Sequence, residues 1–515
     1  MVESIAYLGL SPKRISRLLG VLMIVLAACM ASSIVIGAIY HDAKSILAFA
    51  AAVTLTFLVG GAFFLFGRDA VGAISRRDAI VVVSFSWVFI GVFGGLPYIF
   101  DGTFTQFHDA FFETISGFST TGATVITNIE GSLSKAGHWW RCLTHWLGGM
   151  GIIVLFVAIF PQLGVGGKFL FKSEVPGPIV EGLKPKIKET SKALWLIYFF
   201  LTLVNFALLW LVSGMNWFDA ICHAFGTLAT GGFSTKNASI AYYNEFVSVD
   251  IITTLFMFLA GANFALYYVA IVQGGVKRAL ADRELWAYAG VVFVATIAVT
   301  IWLNTNASPT DEHNYGNIFT ALRYASFQVV SIITTTGFGT ANFDMWAPAA
   351  KLLLFFAMFM GGCAGSTAGG IKVFRVLVVV KACFNEIHRA FRPESVRMLR
   401  VGTAIIRQEV VHTIVVFFAL FVLIFVAVTL FVASFGHDFI TSASSTIACL
   451  ASIGPGLEKV NAVSNFAFYN GPIKIVLSFC MILGRLSSSL SWFSSFPRSG
   501  VGSLLTCGES SSSSS

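Results

Sequence analysis

Long apolar stretches separated by short polar ones run through almost the whole chain. Ten of them are long enough to cross a bilayer, which needs about 20 helical residues. They fall at about 18–40, 44–67, 78–100, 139–160, 193–213, 248–273, 285–303, 349–382, 410–435 and 472–486. Four shorter stretches predict re-entrant half-helices that enter the membrane without crossing it. These fall at about 108–118, 217–228, 318–333 and 438–451.

Composition strengthens this interpretation. Of the 515 residues, 56% are hydrophobic and only 11% are charged, against about 25% charged residues in soluble domains. The mean hydropathy of +0.82 excludes a soluble enzyme and a disordered chain. The eight cysteines form no CxxC pair, so we expect buried thiols rather than disulfides or a metal site. The sequence predicts an all-α integral membrane protein with about ten transmembrane helices.

The positions of the basic residues predict the orientation. The formal charge is +8, and 23 of the 33 Lys and Arg residues fall in alternate connecting segments. Those segments are 1–17, 68–77, 161–192, 274–284 and 372–407. Because basic residues collect on the cytoplasmic side, these segments and both chain ends are expected to be cytoplasmic. The positive charge is thus a topology signal and does not favour nucleic-acid binding.

A glycine-containing polar turn follows each of the four half-helices. Aligning the turns on Gly122, Gly231, Gly337 and Gly454 gives spacings of 109, 106 and 117 residues. This recurrence predicts four pseudo-repeats of helix, half-helix, turn and helix around a single pore, preceded by an N-terminal helix pair. The predicted boundaries are 1–75 for the hairpin, then 76–165, 166–276, 277–390 and 391–486 for the repeats.

The chemistry of these turns suits a dehydrated cation. Backbone carbonyls can replace the hydration shell of potassium, glycine permits the irregular backbone, and the negative end of each half-helix favours a cation. The third turn, 335–339, is similar to the potassium-channel signature TVGYG. Candidate filter residues are Thr120, Thr121, Gly122, Ala229, Thr230, Gly231, Thr335, Thr336, Gly337, Ser452, Ile453 and Gly454. Glu113 is expected to support the filter, and Asp109, Asp219 and Asp438 to cap half-helices.

Three further motifs complete a family resemblance. They are Trp146-Leu147-Gly148-Gly149-Met150-Gly151-Ile152-Ile153, Gly361-Gly362-Cys363-Ala364-Gly365-Ser366-Thr367 and Gly484-Arg485-Leu486. With the four turns, they resemble the TrkH/TrkG/KtrB superfamily of potassium-uptake proteins, and TrkH most closely. The resemblance implies transported potassium without an organic cofactor, contact with membrane lipid, and a bacterial inner-membrane location. It also implies a homodimer docked on a cytosolic, nucleotide-binding ring of the TrkA type.

The stretch GGCAGSTAGG at 361–370 interrupts an apolar run and can hardly stay helical. It lacks the Gly-Lys-Ser/Thr ending of a phosphate-binding loop. The family resemblance implies an intramembrane gate below the filter, and the alternative is a kinked packing site. Gating candidates are Gly361, Gly362, Gly365, Ser366, Thr367, Gly369, Gly370 and Arg485.

Two polar residues in apolar helices leave alternatives open. Arg485 either projects into the pore below the filter, as the resemblance implies, or snorkels to the cytoplasmic face. Asn263 either lines the cavity or bonds a neighbouring helix. An enzyme is not expected, because the sequence lacks HExxH, GxSxG and paired intramembrane acids. Channel-like conduction and symport with protons or sodium both stay open.

The last residues depart from the family pattern. After Leu486 the family continues Glu-Leu-Phe-Thr, whereas this chain reads Ser-Ser-Ser-Leu-Ser-Trp at 487–492. A shift of one base in a codon string for Glu-Leu-Phe-Thr-Val-Leu produces that second reading. We therefore hypothesise that residues 487–515 are frame-shifted or non-native sequence, ending in a low-complexity serine run.

Overall fold

The computed structural model describes residues 11–70, 75–151, 187–308, 313–392, 398–401 and 404–486. Within these ranges the fold is helical apart from one antiparallel hairpin, β1 (Arg400–Val401) and β2 (Ala404–Ile405). Six of the described helices are long and apolar enough to cross a membrane, and one bent pair would make a seventh span. The predicted all-α, multi-pass membrane architecture is confirmed.

The N-terminal pair is a tight helical hairpin of α1 (Pro12–Ile39) and α2 (Ala43–Gly67). Asp42 begins the second helix by accepting a hydrogen bond from the amide three residues later. Glycine lets the two backbones approach closely, since a Cβ on Gly60 would lie only 2.9 Å from that of Met23.

The remaining helices form four successive quarters. Quarter one contains α3 (Arg76–Phe100), α4 (Phe107–Phe118), α5 (Ile129–Ser132) and α6 (Lys135–Gly149). Quarter two contains α7 (Ile187–Ala207), α8 (Trp217–Ala229), α9 (Val247–Ala260) and α10 (Phe264–Ile271). Quarter three contains α11 (Val276–Leu280), α12 (Arg283–Thr305), α13 (Ile318–Ile333), α14 (Pro348–Ala357) and α15 (Val373–Phe391). Quarter four contains α16 (Gln408–Ala433), α17 (Phe439–Leu450) and α18 (Gly471–Leu486).

The half-helices α4, α8, α13 and α17 match the four short apolar stretches to within one residue at each end. The predicted span at 248–273 is not a single straight helix, because α9 and α10 meet at an angle of 91°. The predicted interruption of 349–382 is confirmed, with non-helical backbone at 358–372. The segments 152–160 and 487–515 lie outside the described residues.

Burial is highest in the half-helices and low in the outer helices. In α17 every residue from 441 to 450 is buried, including serines and threonines. By contrast, Leu47 of α2 and Leu430 of α16 are 71% and 66% exposed. Apolar side chains on the outside and hydroxyls at the centre are the pattern expected of helices in lipid around a polar pathway.

Candidate ion filter and intramembrane loop

Each half-helix ends in a turn with the same unusual backbone. The first turn residue has a left-handed φ between 53° and 57°, and the glycine two positions later has a φ between 79° and 99°. The first residues are Thr120, Thr230, Thr335 and Ser452, and the glycines are Gly122, Gly232, Gly337 and Gly454. We call residues 120–122, 230–232, 335–337 and 452–454 the filter turns.

The four filter turns are closed by equivalent backbone hydrogen bonds. In each, the amide of the middle residue donates to the carbonyl five positions earlier, over 2.8–2.9 Å. The pairs are Thr121 to Ser116, Gly231 to Gly226, Thr336 to Ser331, and Ile453 to Ala448. The turns therefore share one conformation although their side chains differ.

This geometry corrects the sequence alignment in quarter two. Gly232, rather than Gly231, has the positive φ that is equivalent to Gly122. Ala229 is the last residue of α8 and precedes the turn. Spacing along the sequence cannot decide which of two adjacent glycines is equivalent to Gly122. The left-handed φ of Thr230 marks the first residue of the turn, and the equivalent glycine is therefore Gly232.

The filter turns form a closed ring. A Cβ on Gly122 would overlap the carbonyl oxygen of Gly231, and one on Gly232 would overlap that of Thr336. In the same way, Gly337 approaches the carbonyl oxygen of Ile453. A Cβ on Gly454 would lie 2.7 Å from the carbonyl oxygen of Thr121, which returns to quarter one. Each turn thus packs against the middle carbonyl of the next, and only glycine leaves room for that contact.

In quarters one and three, side-chain hydroxyls make additional hydrogen bonds to the backbone just after the filter turn. Ser116 donates to the carbonyl of Ala123 at 2.6 Å, and Ser331 donates to that of Phe338 at 2.7 Å. The equivalent residues in quarters two and four are Gly226 and Ala448, which have no hydroxyl. Hydroxyl pairs Ser119–Thr121 and Thr334–Thr336 repeat the same alternation. Opposite quarters are therefore more alike than neighbouring ones, a pattern that sequence reasoning missed.

A buried ion pair stands behind the first filter turn. Glu113 and Arg141 lie 2.7 Å apart, and both side chains are almost completely buried. Glu113 also accepts hydrogen bonds from the Thr124 hydroxyl and the Val125 amide, both at 2.9 Å. The expected supporting role of Glu113 is confirmed. Arg141 extends the support to quarter two by donating to the Ser234 carbonyl at 2.9 Å.

Two further ion pairs join neighbouring quarters. Lys474 of α18 contacts Asp109 of α4 at 2.6 Å, which joins quarter four to quarter one. Arg323 of α13 contacts Asp250 of α9 at 2.7 Å, which joins quarter three to quarter two. These contacts hold the half-helices against their neighbours.

The capping prediction is confirmed for one of its three residues. Asp438 is the N-cap of α17 and accepts a hydrogen bond from the Thr441 amide at 2.9 Å. The prediction is wrong for Asp109 and Asp219, which lie inside the first turn of their helices. Asp109 pairs with lysine, and Asp219 accepts hydrogen bonds from Thr235 and Tyr243 instead.

A polar cavity of about 100 Å³ opens above the ring. The glycines of all four filter turns line it, together with Lys236 and Asn237 from the segment after α8. Lys236 lies 3.7 Å from Glu130, so its charge is partly balanced. The cavity is a suitable outer mouth for an ion that enters the ring.

The segment 358–372, which we call the intramembrane loop, lies directly beneath the ring. The Gly369 amide donates to the Thr335 hydroxyl at 2.6 Å, and the hydroxyls of Thr230 and Thr367 are 3.4 Å apart. A Cβ on Gly369 would lie 2.9 Å from that of Ser452. The loop thus contacts the first residue of three filter turns.

Glycine is needed in the loop for close backbone contact. A Cβ on Gly361 would overlap the Gly369 carbonyl, and one on Gly362 would lie 2.5 Å from the Gly261 carbonyl. Gly365 and Gly370 have φ values of 82° and 62°. The two arms of the loop are joined by the bridge between Met360 and Ile371. These are the contacts of a folded loop rather than of a kinked helix.

The bend between α9 and α10 receives the loop. The Cys363 amide donates to the Gly261 carbonyl at 2.8 Å, and the Phe264 amide donates to the Gly365 carbonyl at 3.0 Å. Asn263 lies in this bend and begins α10 by accepting from the Ala265 amide at 2.9 Å. Its observed hydrogen bond is therefore local, within its own chain segment.

Arg485 contacts the loop from α18. Its guanidinium donates to the Thr367 carbonyl at 2.8 Å, and to the carbonyls of Gly148 and Gly149 at 2.7 and 2.9 Å. It therefore joins the loop to the end of α6 beneath the ring. These contacts favour the pore position of Arg485 over the snorkelling alternative.

Comparison with known proteins agrees with this geometry. A family model described as "TrkH: Cation transport protein" matches residues 45–494. The chain belongs to the TrkH family. This family member is 37% identical to the "Trk system potassium uptake protein TrkH" of Halomonas elongata, over 93% of this chain and 97% of that protein. It is 35% identical to the protein of the same description from Escherichia coli, over 92% of this chain and 96% of that one.

A solved structure shares the fold. The crystal structure of the potassium transporter TrkH from Vibrio parahaemolyticus superposes with a TM-score of 0.81 at 34% identity. The match covers 94% of this TrkH-family chain and 98% of the other. The predicted family and the fold of the pore quarters are thereby confirmed.

Proposed function

We propose that this chain is the potassium-translocating subunit of a Trk-type uptake system. The observation that carries the proposal is the closed ring of four filter turns, in which the glycine of each turn packs against the middle carbonyl of the next. Oxygens held in such a ring replace the hydration shell of a potassium ion. Relatives described as potassium uptake proteins, alike over nearly their full length, support the same ion.

The ring performs selection and the intramembrane loop performs gating. A cation that has crossed the ring meets the loop at its contacts with Thr230 and Thr335. It also meets the positive charge of Arg485, which holds the loop through the Thr367 carbonyl. Flux therefore requires the loop to move away from the ring.

A transport role is favoured over an enzymatic one. The matching family model is described as a cation transport protein, and full-length relatives are described as potassium uptake proteins. The buried carboxylate nearest the ring, Glu113, is occupied by Arg141, Thr124 and Val125. Its role in this proposal is structural.

Membership of the TrkH family supports a proposed assembly and location. The subunit is a homodimer in the bacterial inner membrane and docks on a cytosolic, nucleotide-binding ring of the TrkA type. Basic residues of the connecting segments, such as Lys277, Arg278 and Arg389, put those segments and both chain ends on the cytoplasmic side. Lipid surrounds exposed apolar residues such as Leu47 and Leu430.

The proposal is tested by flux into liposomes that contain the purified chain. Deletion of residues 365–367 removes the contacts to Phe264 and Arg485 without removing a helix. We expect potassium flux to rise severalfold while potassium is still preferred over sodium. Folded deletion protein that conducts no faster than the parent would contradict gating by the loop. Imposed proton and sodium gradients in the same assay distinguish conduction from symport.

A further inference from the structure

One buried carboxylate binds the intramembrane loop at its middle and directly after its end. Glu284, in the first turn of α12, is only 7% exposed. Its Oε1 accepts a hydrogen bond from the Ala364 amide at 2.6 Å and another from the Phe374 amide at 3.2 Å. Ala364 lies near the middle of the loop, and Phe374 lies two residues after its end. A single oxygen therefore ties the two ends of the segment 364–374 together.

Capping of α12 does not explain this acid. Asp282 is already the N-cap of the helix and accepts from the Leu285 amide at 2.8 Å. The carboxylate of Glu284 instead accepts hydrogen bonds from amides 80 and 90 residues further along the chain. Nothing in the local sequence distinguishes this residue, since an acid in a first helical turn is common.

A buried lysine holds the middle of the same loop. Lys372 is 6% exposed, and its ammonium group donates to the Ala368 carbonyl and lies 3.5 Å from the Ser366 hydroxyl. The neighbouring Thr367 carbonyl accepts from Arg485. Two cations, one at the end of the loop and one from α18, thus bind consecutive loop carbonyls, beneath the contact of the loop with Thr335.

We propose that Glu284 is a positioning residue that keeps the intramembrane loop closed, and that Lys372 acts with it as a second latch beside Arg485. This inference rests on the proposed gating function of the loop. Glu284 lies at the cytoplasmic end of α12, directly after the basic segment 274–283. Displacement of that helix end releases Ala364 and Phe374 at once.

The first test compares potassium flux into liposomes for three variants, each with one substitution at the start of α12. Glu284→Ala removes the acceptor, and flux should rise severalfold with the potassium preference unchanged. Glu284→Gln keeps one acceptor oxygen and should restrain flux more than alanine does. Asp282→Ala is the matched control, because it weakens the same helix start without touching the loop, and its flux should equal that of the parent.

The second test asks whether Glu284 acts through the loop. In the protein that lacks residues 365–367, the loop is already released, so adding Glu284→Ala should increase flux no further. An equal increase in both backgrounds would overturn the proposal, because Glu284 would then act elsewhere. A rise after the deletion but none after Glu284→Ala would also overturn it. No rise after either change would contradict the loop gate itself, and the Glu284 proposal with it.

Lys372 supplies an independent readout if Glu284→Ala protein does not fold. Lys372→Met keeps the length of the side chain but removes its charge and its bond to Ala368. Its flux should rise severalfold, whereas Lys372→Arg should stay nearer the parent. Parental flux in folded Lys372→Met protein would overturn the second-latch role.

Discussion

The four quarters hold their filter turns with equivalent backbone hydrogen bonds, but they differ from one another below the ring. In quarter two the second helix bends by 91° between α9 and α10. In quarter three it is interrupted by the loop at 358–372, and in quarter four it continues to Arg485. The upper half is thus a repeat, while the lower half is built from contacts that occur once.

This difference follows from the groups that each half uses. The ring depends on backbone carbonyls and on four glycines, so unlike residues such as Thr336 and Ile453 serve the same position. The lower half depends on side chains, chiefly Arg485, Lys372 and Glu284, which bind particular loop atoms. Selection can therefore be distributed over four quarters, whereas closure depends on a few residues.

The largest effect is expected at the ion pair behind the ring. Glu113→Ala leaves Arg141 buried without its carboxylate, and loss of one partner of such a pair costs about 3–5 kcal/mol. Thermal unfolding in detergent should show a large loss of stability. The double variant Glu113→Leu with Arg141→Met should recover much of it, because no charge stays unpaired. A double variant less stable than Glu113→Ala would contradict this account of the pair.

The ring itself is tested at Gly337. A Cβ in Gly337→Ala would overlap the Ile453 carbonyl in the next turn. We expect potassium flux to fall by about a hundredfold, which corresponds to roughly 2.7 kcal/mol in the barrier, and sodium to be excluded less well. Potassium and sodium flux into liposomes measures both effects.

Gly436 provides the matched control for Gly337. It has a φ of 88°, but no atom lies within 4 Å of the position where its Cβ would be. Gly436→Ala therefore introduces a similar backbone strain, about 1–2 kcal/mol, without touching the ring. Its flux per folded molecule should equal that of the parent. Similar losses in Gly337→Ala and Gly436→Ala proteins would refute the ring contact as the cause.

A smaller effect is expected at Arg485. Its positive charge repels a potassium ion that leaves the ring, and water and neighbouring dipoles screen part of this repulsion. Arg485→Ala should raise flux severalfold without changing the preferred cation. The flux of Arg485→Lys protein should lie between those of the parent and the alanine variant. The single ammonium group of lysine cannot donate to the Thr367 and Gly148 carbonyls together, as the guanidinium does. Parental flux in the alanine variant would exclude Arg485 from permeation.

The smallest effect is expected at Asp438, which caps α17. Burial alone would raise the pKa of its carboxyl, but hydrogen bonding from Thr441, together with the charge of Lys459, outweighs this and lowers the pKa below 3.8. Its charged form therefore stabilises the fold above pH 3.8, and this contribution is lost as the pH falls through the lowered pKa. Asp438→Ala should cost about 1 kcal/mol near neutral pH, measured by thermal unfolding. No loss of stability at neutral pH would contradict the cap.

The half-helices and the loop could be predicted from the sequence because their signals are local. Apolar stretches too short to span give the half-helices, and glycine-rich polar residues within a span give the loop. The bend at 261–263 was missed because apolar residues continue on both sides without a proline. The partners of Glu284 and Arg485 are distant in sequence, so their bonds to loop atoms could not be predicted. The spacing of the repeats cannot decide which of the adjacent residues Gly231 and Gly232 is equivalent to Gly122.

The central claim is that the ring selects and the loop gates, and one paired measurement tests it directly. Potassium flux and the ratio of potassium to sodium flux are measured side by side in Gly232→Ala protein and in protein lacking residues 365–367. The account predicts a lower ratio with reduced potassium flux for Gly232→Ala, and an unchanged ratio with increased flux for the deletion. A lower ratio in the deletion protein, or an unchanged ratio in Gly232→Ala protein, would contradict the separation of the two roles.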